Sequence, residues 1–546
     1  MNIHNKKNII FLLYILYNLF LVYVLFVLRY GYLYVSIFLF ASHLRDMFCV
    51  IYHLIHIGRI TEIKPELKNE EQTICCLVPV YAEKVDLVVN NIKSLCNQDL
   101  PENTKIMILL ICDGLVVGRH NKNPLFEELD KLVTYEDDTK YEELYTSWKT
   151  LTDNTLFYKK GEIYGKPIIL AHKSKNCGKK DSLIVGEQLI EKIDTMEDLK
   201  NKYNIIAPKY IYHTDSDTVA DSKCLRNLLE TFQTNKDIDG VSGMVRAYYF
   251  NTEDTKWYWG IYEKMFYIMQ DFQYFFSLTL RRMTESELQT TTCLPGCVNM
   301  IKVNDKSRKA IEEYADLPNK ETNFLEAVTR MQGTDRRYTT LLLKHGAKLQ
   351  MNWRATVYTE PPLGAKAFIN QRRRWSSNAF FNSFILFILP DLPLYIRIST
   401  IVDITRLFST IFRTVSYTWF WIYFGRVEFE VYLILLFFVV VPYIYILSWA
   451  FFILSDWKKI WFGFLLNKLL MPVLSVLTIT KMFLTASNFA WGGFVAKVED
   501  IVEDIEILVV DMKEDIKEEC VELGIISEEE GENEETNIAP YQMIYQ

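Results

Sequence analysis

Cysteine is scarce and unframed in this chain. There are ten in 546 residues, without the even spacing that braces a small secreted domain, which fits a reducing compartment. Cys75-Cys76 and Cys293-Cys297 have neither CxxC spacing nor a nearby histidine cluster, which argues against structural zinc. The amino-terminal apolar run has no small-residue cleavage site after it and is too long for a signal-peptide core. No basic stripe with interleaved aromatics appears, so nucleic acid is not an expected partner. The nucleotide-binding P-loop is missing as well. "NCGKKDSL" lacks the upstream glycine, and Asp181 stands where Ser or Thr would be, which argues against an ATPase or GTPase. No internal repeat is visible.

What is present is a mixture. The chain is 50% hydrophobic and 23% charged, a combination that implies a membrane part beside a polar part. At roughly 100–200 residues per domain, two to four units are expected. The net charge of −8 hides an asymmetry: Glu499 to Glu535 holds 17 Asp/Glu against 2 Lys, a local −15, which leaves +7 for the rest. A mildly basic body with an acidic tail suits a protein beside an anionic membrane that handles a phosphorylated ligand.

Ile9 to Leu28 is a run of 20 uncharged residues, long enough to cross a bilayer. Lys6 and Lys7 before it predict a cytosolic amino terminus. Tyr32 to Ile57 is apolar apart from Arg45 and Asp46; we expect it to span, with an interfacial position as the alternative. From Thr73 to Ala367, short apolar runs end in carboxylates: "TICCLVPVYAE", "KIMILLICDG" and "KYIYHTDSDT". Helical patterns lie between them, and this alternation predicts a doubly wound α/β sheet. Val116 to Gly165 is polar and irregular and reads as a peripheral insertion. Phe380 to Ile396 contains Pro390, Asp391 and Pro393 and reads as interfacial. Ile398 to Phe424, Val431 to Leu454 and Ile460 to Leu484 are membrane candidates. The first carries Asp403, Arg406 and Arg413, so it either faces other helices or a polar path, or lies flat in the interface. The tail has apolar residues at Ile501, Ile505, Leu508, Met512 and Ile516. That stripe could pair with another copy, making a homo-oligomer, dock on the body, or fray into solvent.

In an open parallel sheet, ligands bind at the carboxyl ends of strands. That rule brings Glu83, Asp113, Asp215 and Asp217 to one rim, although a lone acidic residue after a strand is commonly a cap or turn residue. The "DSD" pair, Asp215 and Asp217, offers oxygen ligands to Mg²⁺ or Mn²⁺, which would share its remaining positions with a diphosphate. Lys179 and Lys180 at a helix start could cradle phosphate. Asp335 in "GTDRRYTTLLLK" could cap its helix or act as a general base. In "QRRRW", Gln371 to Trp375, the arginines could grip a diphosphate and the indole could stack on a sugar. Positive-inside flanking explains the arginines alone.

In order, "VPVYAE", "CDG", "GKKDSL", "DSDT", "CLPGC", "GTDRRYTTLLLK", "QRRRW" and "AWGG" resemble the motifs of fungal-type chitin synthases, processive inverting family-two glycosyltransferases. The resemblance runs from about Cys75 to Gly493, and the Asn/Lys/Ile/Tyr-rich composition is similar in style to microsporidian members. It implies an α/β GT-A-type glycosyltransferase domain, a mixed, mostly parallel sheet with flanking helices, fused to α-helical transmembrane segments. The expected plan is transmembrane helices over 1–60, a cytosolic domain over 73–375, interfacial helices over 376–397, channel helices over 398–485 and an acidic tail over 486–546. The location implied is the plasma membrane.

The resemblance also implies roles. Pro79, Tyr81 and Glu83 would line the uridine pocket, and Asp113 would hold the nucleotide. Lys179 and Asp181 would sit at the donor, UDP-GlcNAc. Asp215 and Asp217 would hold the divalent cation and diphosphate. Asp335 would be the catalytic base toward the growing chitin chain. Gln371, Arg374 and Trp375 would frame the acceptor and diphosphate, and Leu294, Pro295 and Gly296 would lie near the channel entrance. Membrane lipid would surround the helices. Thr334 departs from the family's usual glutamate, and Ala490-Trp491-Gly492-Gly493 from its usual "SWGT". The long amino-terminal extension of many fungal members and the further helices after that motif are also missing. A synthase of another β-linked polymer, hyaluronan- or cellulose-like, and an inactive membrane scaffold are the rival readings.

Overall fold

A computed structural model describes residues 3–28, 31–62, 67–118, 121–135, 139–148, 152–248, 257–317, 322–331, 333–422, 429–485, 488–491 and 494–497. The acidic tail beyond 497 and Gly492-Gly493 of the "AWGG" motif lie outside the described residues.

One ten-stranded sheet organises the polar part of the chain. Its strands are β1 (Gln72–Val80), β2 (Thr104–Cys112), β3 (Tyr141–Thr146), β4 (Asp153–Ile163), β5 (Lys166–Lys173), β6 (Tyr210–His213), β7 (Val219–Ala220), β8 (Gly240–Ala247), β9 (Asn299–Lys302) and β10 (Leu349–Thr359). They lie in the order β3-β4-β5-β2-β1-β6-β9-β8-β10-β7. Only β4, β7 and β9 run against the other seven. The expected mixed, mostly parallel sheet is the one observed, with β5, β2, β1 and β6 as its contiguous parallel centre.

The unbroken apolar runs of these central strands follow from having both faces covered. Along β1, Ile74, Cys76, Val78 and Val80 face one hydrophobic cluster, while Cys75 and Leu77 face another, the period-two alternation of a strand. The helix Lys179–Glu191 covers the second face. Its approach to the sheet is so close that a Cβ at Gly186 would stand 2.6 Å from Leu77 Cδ1, so the glycine sets how near Lys179 comes to the strand ends. The Val116–Gly165 insertion supplies β3 and β4 at the sheet's edge. β3 alternates half-buried and exposed residues, as an outermost strand should.

The apolar segments on either side of the sheet-bearing part form a helical layer. Asn8–Val27, Leu436–Ile453 and Trp457–Leu484 are long and apolar enough to cross a membrane. The segment from Tyr32 lies in a helix over Gly31–Ile55, and the region from Ile398 is two helices, Leu394–Phe408 and Thr410–Ile422, divided at Ser409. Several charges in these helices are paired. Arg45 bonds Asp403 at 2.8 Å, and Arg281, from the sheet-bearing part, forks onto Asp46 at 2.9 and 3.2 Å. A second network fixes the same junction: buried Asp271 takes both prongs of Arg246 at 2.9 Å and Lys459 at 2.7 Å. These pairs satisfy charge that would be costly alone in an apolar setting.

Candidate active site

Glu83, Asp113, Asp215 and Asp217 follow β1, β2 and β6 at the sheet's carboxyl edge. Glu83 folds back and accepts the Tyr81 N–H at 2.8 Å, which turns the chain after buried Pro79 into the rim. Helix Val85–Cys96 braces the neighbouring loop: Asn91 Nδ2 donates to the Asp215 and Thr218 carbonyls at 3.1 and 2.6 Å.

Asp113 and Asp181 face inward. Asp113 accepts the amides of Cys177 and Gly178 at 2.9 and 2.8 Å and the Lys173 ammonium at 2.5 Å. Asp181 accepts Lys173 at 2.9 Å, the Tyr145 hydroxyl at 2.9 Å and the Trp148 amide at 2.7 Å. Lys173 and Asp181 are fully buried. This carboxylate–ammonium–carboxylate triad holds the 174–178 loop. Both amides that bind Asp113 belong to that loop's end, so the triad sets where the following lysines emerge.

Lys179 is the first of them. It forms an ion pair with Asp215. Burial alone would lower its pKa, but the charges of Asp215 and Asp335 outweigh burial and raise it, so Lys179 is a cation between two carboxylates. Lys180 turns away, donates to the Arg330 carbonyl at 2.9 Å and lies 3.9 Å from the Trp148 ring centre. Burial, then Arg337 and Arg330, push its pKa well down. Asp217 is pushed up to about 7 by burial and by the charges of Asp215 and Glu83. This corner carries more negative charge than its surroundings support, which a cation would relieve. Among the described residues no group of three or more His, Cys, Asp or Glu converges on one point. The chain thus offers two aspartates, and a hard cation would complete its shell with ligand oxygens and water.

Asp335 begins helix Asp335–Lys344, and both oxygens of its carboxylate accept hydrogen bonds. Oδ2 accepts the Gly296 amide at 2.9 Å and Oδ1 accepts the Thr334 hydroxyl at 2.5 Å. Thr334 therefore supplies a hydrogen-bond donor to this carboxylate. Gly296 is required by proximity: an added Cβ would lie 2.6 Å from Asp335 Oδ1. Leu294 donates its amide to Thr339 Oγ1 at 2.9 Å, and the Pro295 carbonyl accepts Asn299 Nδ2 at 2.8 Å. Lys179, Leu294, Gly296, Thr334 and Asp335 line one small cavity.

"QRRRW" lies inside a single helix, Ala365–Ile388. Gln371, Arg374 and Trp375 fall at i, i+3 and i+4, one face of it. Among the described residues the Gln371 Oε1 is buried without a hydrogen-bond partner, while Trp375 is 43% exposed. Asp335's charge acts on Arg374, whose pKa is lowered chiefly by burial. Arg372 stacks its guanidinium 4.4 Å from the Trp375 ring centre and 5.3 Å from that of Tyr274. Arg373 reaches Thr485 Oγ1 at 3.0 Å, joining this helix to the end of Trp457–Leu484.

Sequence reasoning missed Lys173, Asn91 and Tyr274. The run "PIILAHK" ends β5 as "ILLIC" ends β2, so the strand-end rule could have flagged Lys173 had it been applied to cations. Nothing local marks Asn91 or Tyr274.

A family model described as chitin synthase matches residues 49–167 and 164–506. Chitin synthase 4 of Cryptococcus neoformans var. grubii is 25% identical over 371 residues, covering 60% of this chain and 28% of that protein. Chitin synthase 5 of Exophiala dermatitidis is 25% identical over 473 residues, 78% of this chain and 24% of its own length. The chain thus spans about a quarter of the length of these relatives. Among solved structures, a mannosyltransferase from Pyrobaculum calidifontis, in complex with GDP-Man and Mn²⁺, aligns with a TM-score of 0.42 at 10% identity, covering 79% of this chain and 96% of that one.

Proposed function

The chain belongs to the chitin synthase family, and we propose that it transfers GlcNAc from UDP-GlcNAc to the C4 hydroxyl at the non-reducing end of a growing β-1,4 chain and passes the polymer across the membrane. The observation that carries this reading is the meeting of two functions at one rim. Asp215, Asp217 and Lys179 suit a diphosphate and its cation. Asp335, held by the Gly296 amide, suits an attacking hydroxyl.

The reaction is a single displacement on a GT-A-type domain. Asp335 takes the proton of the acceptor hydroxyl as its oxygen bonds to the anomeric carbon, and the carbon–phosphate oxygen bond breaks with its electron pair leaving on UDP. Inversion of the α-linked donor gives a β product. General-base help is worth about 10²–10⁴-fold. A divalent cation, Mg²⁺ or Mn²⁺, held by Asp217 and Asp215 would neutralise charge on the departing diphosphate. Lys179 and Arg374 add fixed positive charge beside it. Pro79, Tyr81 and Glu83 shape the nucleotide pocket, and Asp113 and Asp181 act on it through Lys173 and the 174–178 loop. Gln371 and Trp375 receive the terminal sugar, the ring stacking on its apolar face. Leu294, Pro295 and Gly296 stand at the exit toward the helices, with the catalytic domain in the cytosol and the helices in the plasma membrane.

The test is to supply membranes containing this chain with UDP-GlcNAc and Mg²⁺ or Mn²⁺, and to assay insoluble product with chitinase. Chitinase-sensitive polymer supports the reading. Polymer formed only from another UDP-sugar moves the assignment to a related β-polymer synthase. Absence of turnover with intact nucleotide binding favours a scaffold.

A further inference from the structure

The long helix Trp257–Phe276 does not end as an α-helix. It passes into a π-helical turn, Ser277–Arg282, before one more α-turn, Met283–Glu287. Such widened turns recur at functional positions. Here the turn presents two successive arginines to different partners. Arg281 forks onto Asp46 of helix Gly31–Ile55, and its Nη1 lies 3.8 Å from Asp403. Arg282 faces the sheet side and bonds both Glu285 and the Thr292 hydroxyl. Glu285 closes the ring by accepting the Thr292 amide at 2.8 Å. Glu285 and Thr292 are 5% and 7% exposed, so these charge-assisted bonds face little competition from water.

Thr292 immediately precedes the loop that meets Asp335. Two residues on, the Leu294 amide is fixed to Thr339; two further, the Gly296 amide is fixed to the Asp335 carboxylate. At its far end the loop's Cys297 carbonyl accepts the Thr214 hydroxyl at 3.2 Å, next to Asp215. The loop thus touches the acceptor side through Gly296 and the donor side through Cys297. The Arg282–Glu285–Thr292 ring sets where it starts.

We propose that Arg282 and Glu285 are positioning residues of the transfer reaction. Their ring fixes the 292–297 loop so that the Gly296 amide holds Asp335 toward the acceptor, and Arg281–Asp46 ties that ring to a helix of the apolar layer. The proposal rests on the reading of Asp335 as the base. Its consequence is that the base is registered against the membrane-facing helices, not only against its own domain.

Two measurements on the full chain in lipid nanodiscs test it. In the first, Arg282→Ala lowers kcat by about 10- to 100-fold, the scale for sub-ångström to ångström misplacement of a reacting group, with the KM for UDP-GlcNAc within about twofold of the parent. Arg282→Lys recovers part of the loss, and Asp46→Asn shifts kcat in the same direction by less. An unchanged kcat, or a donor KM that rises in step, overturns the proposal. The second measurement needs no turnover. Amide hydrogen exchange over 292–298 speeds up at least tenfold in Arg282→Ala, while the β1 segment 72–80 keeps its protection. Unchanged exchange at 292–298, or equal loss in both segments, overturns it. If the parent makes no polymer, the functional reading fails, and the exchange result still decides the ring's role.

Discussion

Gly296→Ala perturbs the contact between the 292–297 loop and Asp335 with one methyl group. That methyl would stand 2.6 Å from Asp335 Oδ1, 3.0 Å from its Cγ and 3.1 Å from Oδ2. A carbon–oxygen contact settles at about 3.3 Å or more, so the carboxylate, or the loop carrying the methyl, must move by roughly 0.7 Å. Either movement weakens the 2.9 Å bond from the Gly296 amide. Misplacement of about 1 Å costs on the order of 10²-fold, so we expect kcat to fall by about 10- to 50-fold, or about 1.4–2.3 kcal/mol in the barrier. The three heavy atoms nearest the methyl all belong to Asp335 and none to Asp215, Asp217 or Lys179 of the proposed donor corner, so the KM for UDP-GlcNAc should stay within about twofold. The assay is initial UDP release together with GlcNAc incorporation, at saturating and limiting donor. A kcat within twofold of the parent in a folded variant would refute the claim that this contact positions the base.

Three further outcomes follow from the site. Lys173→Met leaves Asp113 and Asp181 as buried carboxylates without their shared cation. It should destabilise the chain by about 3–5 kcal/mol, visible as a lowered denaturation midpoint, with UDP binding weakened as the 174–178 loop is released. Asp217→Asn removes one of two proposed cation ligands, so the Mg²⁺ concentration for half-maximal rate should rise about tenfold or more, and chelation should stop the parent's turnover. Trp375→Ala removes a stacking surface of about 0.5–1.5 kcal/mol, so half-saturation by chito-oligosaccharide acceptors should rise about 2- to 12-fold at unchanged donor KM.

The sheet's centre was legible because β1, β2 and β6 are apolar on both faces and end in carboxylates, and the strand-end rule needs nothing more. The edge was not. β3 reads "YEELYT" and owes its place to pairing with β4, from Tyr141 opposite Tyr158 to Thr146 opposite Asp153, and a polar edge strand has no apolar run to announce it. The destination of Asp113 was hidden for a related reason: Lys173 is 60 residues away and joins it only because β5 lies beside β2. Polarity also misleads about helix ends. The apolar turn after Trp375 suggests a boundary, yet the helix runs from Ala365 to Ile388, since a change of solvent does not interrupt backbone hydrogen bonding. The charges at Asp403 and Arg45 left two readings open because their partners, 358 positions apart, are visible only in the fold.

The most direct test of the central claim separates donor binding from transfer at one residue. UDP-GlcNAc binding and polymer formation would be measured side by side for the parent and Asp335→Asn, in the same membranes with the same cation. The account predicts that the variant binds the donor within about threefold of the parent and forms polymer at least 10²-fold more slowly. A variant that keeps polymerising at near the parent's rate would contradict the assignment of Asp335 as the base and the site built around it.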